Sequence, residues 1–363
     1  MDYTIILVGK SLLLNSAFTE YLNRISSDFK IDTSSIHLLE KNENDFFLKL
    51  EDLINKTDKV IIFSHHKSFN LVNKILATLK EDRLELIDDM LIPSQSKNHK
   101  KNIYLLEDEK HSINVVNLIE NETIPKLFFE KGDTSFSFSI IGLDEDSVKL
   151  LLEPLASTYE IDIVSTPIVE GYSVIYSKAK RYGDLENFLK SAQKLFSDKF
   201  VISENIVKDI CESLIEHNKK LSVAESCTGG LIASMITKNP GVSSIFDGSI
   251  VSYSNEIKRS WLGVSKETLD NYGAVSEACV REMLDGVMSA SESDFALATS
   301  GIAGPDGGTK EKPVGTVFVG AKSKEGEYII HRLLLKGDRE YIQTQSAYYA
   351  FKLLMMVGKR YFF

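Results

Sequence analysis

The sequence predicts an α/β multidomain protein: an amino-terminal parallel α/β domain over residues 1–128, a small α+β linking domain over 134–197, and a carboxy-terminal α/β/α sandwich over 204–363. Three observations predict it. At 363 residues the chain is too long for one core, since domains commonly run about 100–200 residues. Strand-like and helix-like stretches alternate through the first and last parts. The pattern also breaks twice, at Lys131-Gly132-Asp133-Thr134 and again near Glu204.

In the first part the strand-like Thr4–Val8 is followed by a helical Leu12–Arg24, the strand Ile36–Leu39, a helical Asp45–Ile54 and the fully apolar strand Val60–Phe63. A polar, lysine-rich stretch, Ser94–Asn102, reads as an exposed loop. The middle part opens on Ser135–Ile140, whose polar and apolar residues alternate as in a half-buried strand. A helix near Glu145–Leu155, strands at Ile161–Ser165 and Tyr172–Ser177, and a helix at Gly183–Phe196 complete it.

The last part begins with an amphipathic helix that places Ile206, Val207, Ile210, Cys211, Leu214 and Ile215 on one face. The strand Leu221–Ala224 follows, then strands at Ser249–Ser254, Phe295–Ser300, Thr316–Lys322 and Tyr328–Leu335. Helices fall near Leu231–Lys238, Ser276–Ala290 and Arg339–Gly358.

Composition narrows the function classes. Hydrophobic residues make up 43% and charged residues 26%, which fits a soluble globular chain, and no apolar run approaches the roughly 20 residues of a membrane span. Met1–Gly9 reads as a strand reaching a glycine rather than a signal peptide. The widely spaced Cys211, Cys227 and Cys279 form no disulfide framework, so a reducing cytoplasm is expected. A formal charge of −10 opposes stable nucleic-acid binding, whereas a phosphate-bearing small ligand needs only one or two cations.

Four stretches carry chemistry. Glu225-Ser226-Cys227-Thr228-Gly229-Gly230 joins a buried strand to an apolar-periodic helix. A loop opening onto a helix start presents backbone N–H groups that can bind a phosphate or an oxyanion. Ser226 and Thr228 are equally ordinary helix-cap residues. The second stretch, Gly248–Lys258, places Tyr253 and Lys258 close together. A desolvated lysine can take a serine proton, although most lysines are solvated, and Tyr253 also suits a plain buried aromatic. In the third, Thr299–Thr309, glycines after a strand permit close backbone approach to a ligand, and a flexible turn fits them too. The fourth, Lys336–Glu340, puts Arg339 at a helix start, where it suits a phosphate or a surface ion pair.

In order, Ala-Glu-Ser-Cys-Thr-Gly-Gly, Val-Ser-Tyr-Ser-Asn-Glu, Gly-Ala-Val-Ser-Glu, Thr-Ser-Gly-Ile-Ala-Gly-Pro, Lys-Pro-Val-Gly-Thr-Val and Gly-Asp-Arg resemble the carboxy-terminal domain of the CinA family over about residues 204–363. The resemblance implies a nicotinamide-nucleotide amidase that converts nicotinamide mononucleotide and water to nicotinate mononucleotide and ammonia. By the same resemblance Ser226 is the nucleophile, Lys258 the general base and Tyr253 a supporting polar group. Glu225, Thr228, Gly229, Gly230, Asn255, Gly301, Gly304 and Arg339 then line the substrate, with Thr228, Gly229 and Gly230 giving amides. Such chemistry requires neither cofactor nor metal. Cys227 is more nucleophilic than serine, but neither a nearby histidine nor a paired acid is evident in the motif to make it a thiolate.

The amino-terminal domain more weakly resembles the family's molybdopterin-binding-like domain. Gly9–Ser16 echoes its Gly-Thr-Glu-Leu-Leu opening with Ser11 at the acidic position, and Ser64-His65-His66-Lys67-Ser68-Phe69-Asn70 replaces the Gly-Gly-x-Gly-Pro-Thr-x-Asp-Asp loop. Without those carboxylates the metal-assisted pyrophosphate hydrolysis of some relatives is expected to be absent. His65 and His66 point oppositely on an extended chain and are expected as solvated loop residues. The middle domain corresponds to the family's small linking domain, which implies a homodimer or domain placement. Two other function classes stay open: a nucleotide-binding regulator and a surviving metal-dependent pyrophosphatase.

Overall fold

Val60–Phe63 is an unbroken apolar run because the strand that contains it, Lys59–His65, is covered on both faces. The protein is described here by a computed structural model covering residues 2–9, 12, 16–28, 32–119, 122–128, 135–203 and 205–363. Ser11, most of the Gly9–Ser16 stretch, the Lys131–Thr134 break and Glu204 lie outside the described residues. Met1–Gly132 and Asp133–Phe363 form two compact units, each considered by itself.

In the first unit one mixed sheet runs in the order Asp32–Leu39, Asp2–Val8, Lys59–His65, Ser112–Leu118, Ile103–Glu107, Asn98–Lys100. The first four strands are parallel, and the last two are added through antiparallel pairings. Side chains alternate between two cores, with Ile6, Val8, Val60 and Ile62 on one face and Ile5, Leu7, Ile61 and Phe63 on the other. The expected loop at Ser94–Asn102 contains the exposed edge strand Asn98–Lys100. Its neighbour, the Leu84–Ile87 and Met90–Pro93 hairpin, was not legible from periodicity. His65 and His66 are not loop residues. They end a strand and begin the helix His66–Leu79, where the His65 ring accepts the Lys67 amide at 3.1 Å as an N-cap.

In the second unit a four-stranded antiparallel sheet has the order Ile161–Val169, Tyr172–Ala179, Ser135–Ile141, Phe200–Val201. Ile161–Val169 runs past Ser165 because it is an edge strand, which tolerates Pro167. Helices Glu145–Thr158 and Leu185–Phe196 cover one face, with Phe138, Val148, Leu152 and Phe188 between them and the sheet. From the other face Ile141, Val169, Tyr172 and Val201 enter the same core as Ile206, Ile210 and Leu353 of the following region. The division at 134–197 and 204–363 stays a proposal, because both sheets feed that shared core.

Two ionisable side chains lie at this junction, Asp209 half-buried and Lys352 buried. One is Asp209 on the helix Ile206–Glu216: its Oδ2 has no hydrogen-bond partner, and burial raises its carboxyl to about 6. The other, Lys352 on the helix Arg339–Val357, donates to the Glu170 carbonyl at 2.7 Å and lies 4.0 Å from the centre of the Tyr349 ring. Burial lowers its pKa.

The last sheet has the order Ser249–Val251, Leu221–Glu225, Phe295–Gly301, Thr316–Ser323, Tyr328–Leu334; the first three strands are parallel, and the last two are added through antiparallel pairings. Val223 and Leu297 face the helices Ile206–Glu216 and Arg339–Val357, while Ala224, Ala296 and Ala298 face the helix Glu277–Ser291. Helices on both faces make this an α/β/α sandwich, and the whole chain is α/β and multidomain.

Candidate active site

Three parallel strands end side by side, and the chain leaving them carries the polar residues. Ser226 follows the strand Leu221–Glu225 directly, held by its amide on the Thr299 carbonyl at 3.0 Å. The neighbouring strand stops at Val251 rather than Ser254, since Ser254 instead caps a helix, Asn255–Leu262, by accepting the Ile257 amide. Lys258 lies one turn into that helix on its buried face and is 1% exposed. Its Nζ donates to Ser226 Oγ at 2.9 Å and to the Ser252 carbonyl at 2.5 Å.

Burial lowers the Lys258 pKa. No carboxylate among the described residues pairs with it. Burial also pushes the thiols up, Cys227 to about 12 and Cys279 to about 11. Cys227 is therefore a thiol at neutral pH, and the adjacent Ser226 hydroxyl is the group in contact with Lys258 Nζ.

Glu225 does something sequence reasoning did not foresee. It is fully buried, and its carboxylate accepts the amides of Gly230 at 3.0 Å, Ile232 at 3.1 Å and Ala233 at 3.0 Å together with the Ser249 hydroxyl. An anion here satisfies the unpaired N–H groups at the start of the helix Leu231–Thr237 and complements its dipole. This corrects two expectations, since Glu225 holds the loop and the Gly230 amide is already taken. The Gly229 amide is likewise spent, on the Ser226 carbonyl at 3.2 Å. Gly229 and Gly230 instead supply positive φ values of 61° and 98°, which let the loop turn.

The Cys227 and Thr228 amides make no hydrogen bond to another described residue. Below them the Thr228 and Thr299 hydroxyls meet at 2.8 Å. Gln343, absent from the sequence reading, donates its Nε2 to the Cys227 carbonyl at 2.7 Å. Its signal was its position four residues after Arg339 on one helix.

A second group forms the rim. Tyr253 is 62% exposed and accepts from Arg339 at 2.7 Å, while another nitrogen of the same guanidinium donates to the Gly304 carbonyl at 2.7 Å. Tyr253 is thus placed against Arg339 instead of in the Ser226–Lys258 pair. Arg339 opens its helix after Asp338, whose carboxylate caps the Tyr341 amide. Gly304 has φ 81°, and a Cβ there would lie 2.6 Å from Val314. Gly301 is explained by packing rather than by a ligand, because a Cβ would meet Val317 at 2.7 Å. Asn255 is exposed at the first turn of its helix.

No helix among the described residues is long and apolar enough to cross a membrane. A family model described as the CinA C-terminal domain matches residues 203–357. A CinA-like protein of Thermosipho melanesiensis is 34% identical over 341 residues, which cover 84% of this chain and 80% of that protein. A CinA-like protein of Fervidobacterium nodosum is 47% identical over 164 residues, 44% of this chain and 40% of that one. Among solved structures, the competence/damage inducible protein CihA from Agrobacterium tumefaciens is 37% identical, matches 42% of this chain and 93% of its own, and has a TM-score of 0.42.

Proposed function

The chain belongs to the CinA family, and from that premise we propose that residues 204–363 are a nicotinamide-nucleotide amidase that hydrolyses nicotinamide mononucleotide to nicotinate mononucleotide and ammonia. The observation that carries the reading is the 2.9 Å contact between buried Lys258 Nζ and Ser226 Oγ. A lysine kept from carboxylates and from water loses its proton more readily than a solvated one, and it is then a base for the serine beside it.

In the proposed sequence the neutral amine keeps one N–H on the Ser252 carbonyl and turns its lone pair to the Ser226 hydroxyl. Ser226 Oγ attacks the carboxamide carbon as its proton passes to Lys258 Nζ. The carbonyl oxygen becomes an oxyanion that the Cys227 and Thr228 amides can receive. When the C–N bond breaks, Lys258 returns the proton to the departing nitrogen, which leaves as ammonia. A water molecule then attacks the ester, giving its proton to Lys258. Breaking the ester bond frees the acid, and that proton restores the Ser226 hydroxyl. Arg339, steadied by Tyr253, faces the substrate phosphate. A homodimer in the cytoplasm belongs to the same proposal.

The test is ammonia release from nicotinamide mononucleotide by the purified protein with chelator present, beside Ser226→Ala. Turnover by the wild type and its loss in the variant uphold the serine amidase. Folded wild-type protein that binds the nucleotide without releasing ammonia points to the regulator instead.

A further inference from the structure

We infer that Gln343 is a positioning residue for the oxyanion donors: its side-chain amide, bonded to the Cys227 carbonyl, orients the peptide group whose N–H belongs to Thr228. The inference rests on the amidase reading and adds to it a residue from outside the nucleophile loop.

A trans peptide is planar, and its C=O and N–H point in opposite directions. The Cys227 carbonyl and the Thr228 N–H are two ends of one such group. Gln343 Nε2 holds the carbonyl end at 2.7 Å, so the N–H end is turned away from the helix Arg339–Val357. That N–H, like the Cys227 N–H before it, makes no hydrogen bond to another described residue, whereas the amides flanking the pair are committed, Ser226 to the Thr299 carbonyl and Gly229 to the Ser226 carbonyl. The loop therefore leaves two donors available, and Gln343 orients the second of them. A hydrogen bond on the carbonyl also polarises the shared amide, which strengthens the N–H as a donor.

The loop needs such a hold. Gly229 and Gly230 have positive φ and no side chains with which to anchor the turn, and the Glu225 carboxylate grips only the amides of Gly230 and the residues after it. The Thr228 hydroxyl is fixed on Thr299, below the peptide group. Gln343 supplies the remaining restraint from another element. It is half-buried and lies one helical turn from Arg339, so the proposed phosphate contact and the proposed oxyanion donors share one rigid support.

The test compares kcat and KM for nicotinamide mononucleotide in wild type, Gln343→Met and Gln343→Lys. Methionine keeps the length and loses the donor, while lysine keeps a donor. Losing an oxyanion donor outright lowers kcat by about 10²–10³-fold, and disordering one is expected to lower it by about 10–100-fold in Gln343→Met. KM should stay within about 3-fold, and Gln343→Lys should recover most of the loss. A Gln343→Met kcat near wild type overturns the inference, as does a change confined to KM. If Gln343→Met fails to fold, a folded Gln343→Lys with kcat reduced by more than about 10-fold overturns it, and near-normal kcat in that variant upholds the donor role. Absence of wild-type turnover sinks the amidase reading itself, which separates that failure from this one.

Discussion

Lys258 Nζ lies 2.5 Å from the carbonyl oxygen of Ser252, six residues earlier in the chain. That bond fixes the amine at the end of its flexible stem, so the amine that Ser226 meets is already in position.

Because burial lowers the Lys258 pKa, kcat/KM should rise with pH through that lowered value and level off above it, since the neutral amine is the reactive form. Linkage gives the same sign for stability. Between the lowered folded pKa and the unfolded value of about 10.4 the unfolded chain binds a proton that the folded chain has released, so this lysine adds stability as pH rises through that window. A flat kcat/KM profile from about pH 6 to 10 would sink the base role.

Lys258→Met should lower kcat/KM by at least about 10²–10⁴-fold, the usual contribution of a general base. Stability should change by no more than about 1 kcal/mol, because an apolar side chain of similar volume replaces a buried amine that no carboxylate pairs. Urea denaturation checks the second half, and a large loss of stability would mean that the lysine serves mainly to hold the fold.

Glu225→Gln replaces one carboxylate oxygen by an NH2 donor, which must face either the Gly230 and Ile232 amides or the Ala233 amide. The expected loss is about 2–4 kcal/mol, the penalty for leaving buried polar groups unmatched. Turnover should fall with it as the Ser226 loop relaxes. A urea midpoint unchanged from wild type would show that the loop does not depend on the carboxylate.

Arg339→Leu should raise KM for nicotinamide mononucleotide by about 10–100-fold, the range of a lost charge-assisted hydrogen bond. It should leave the unphosphorylated riboside unaffected. Tyr253→Phe removes only the hydroxyl that steadies the guanidinium and should act in the same direction by about 2–5-fold. Equal effects on both substrates would remove Arg339 from phosphate recognition.

Asp209 should show the opposite pH trend from Lys258. Its carboxyl is raised to about 6, so the folded chain holds a proton that the unfolded chain has lost above about pH 3.9. Its contribution to stability is complete below that point and is lost as pH climbs through 6. Asp209→Asn, which cannot ionise, should therefore melt higher than wild type at pH 8 and show little difference at pH 4. Parallel melting curves across that range would contradict the burial of the charge.

Much of this was legible in the sequence where the pattern is local. Strand Phe295–Gly301 and helix Glu277–Ser291 follow from apolar periodicity, and Ser226 and Lys258 from motif order. What escaped depends on register and on distant partners. The helix that carries Lys258, Asn255–Leu262, has few apolar residues, and one of them, Trp261, is 62% exposed. No hydrophobic stripe marked it. Glu225 looked like a ligand contact because only the folded turn brings the Gly230, Ile232 and Ala233 amides back onto it. Tyr253 stands near Lys258 in sequence, yet its hydroxyl finds Arg339, 86 positions away. Gln343 carries no motif of its own and gains meaning from the single carbonyl it meets.

The helix Arg339–Val357 has one further implication, for descent rather than mechanism. Its first turns hold Arg339 and Gln343, and its later turns bring Tyr348 and Lys352 against the middle sheet at Tyr172 and Glu170. Mutations accumulating on this helix are therefore filtered by two neighbours at once. A lineage that discards the middle sheet loses what covers positions 348 and 352, and drift there should favour water-facing side chains.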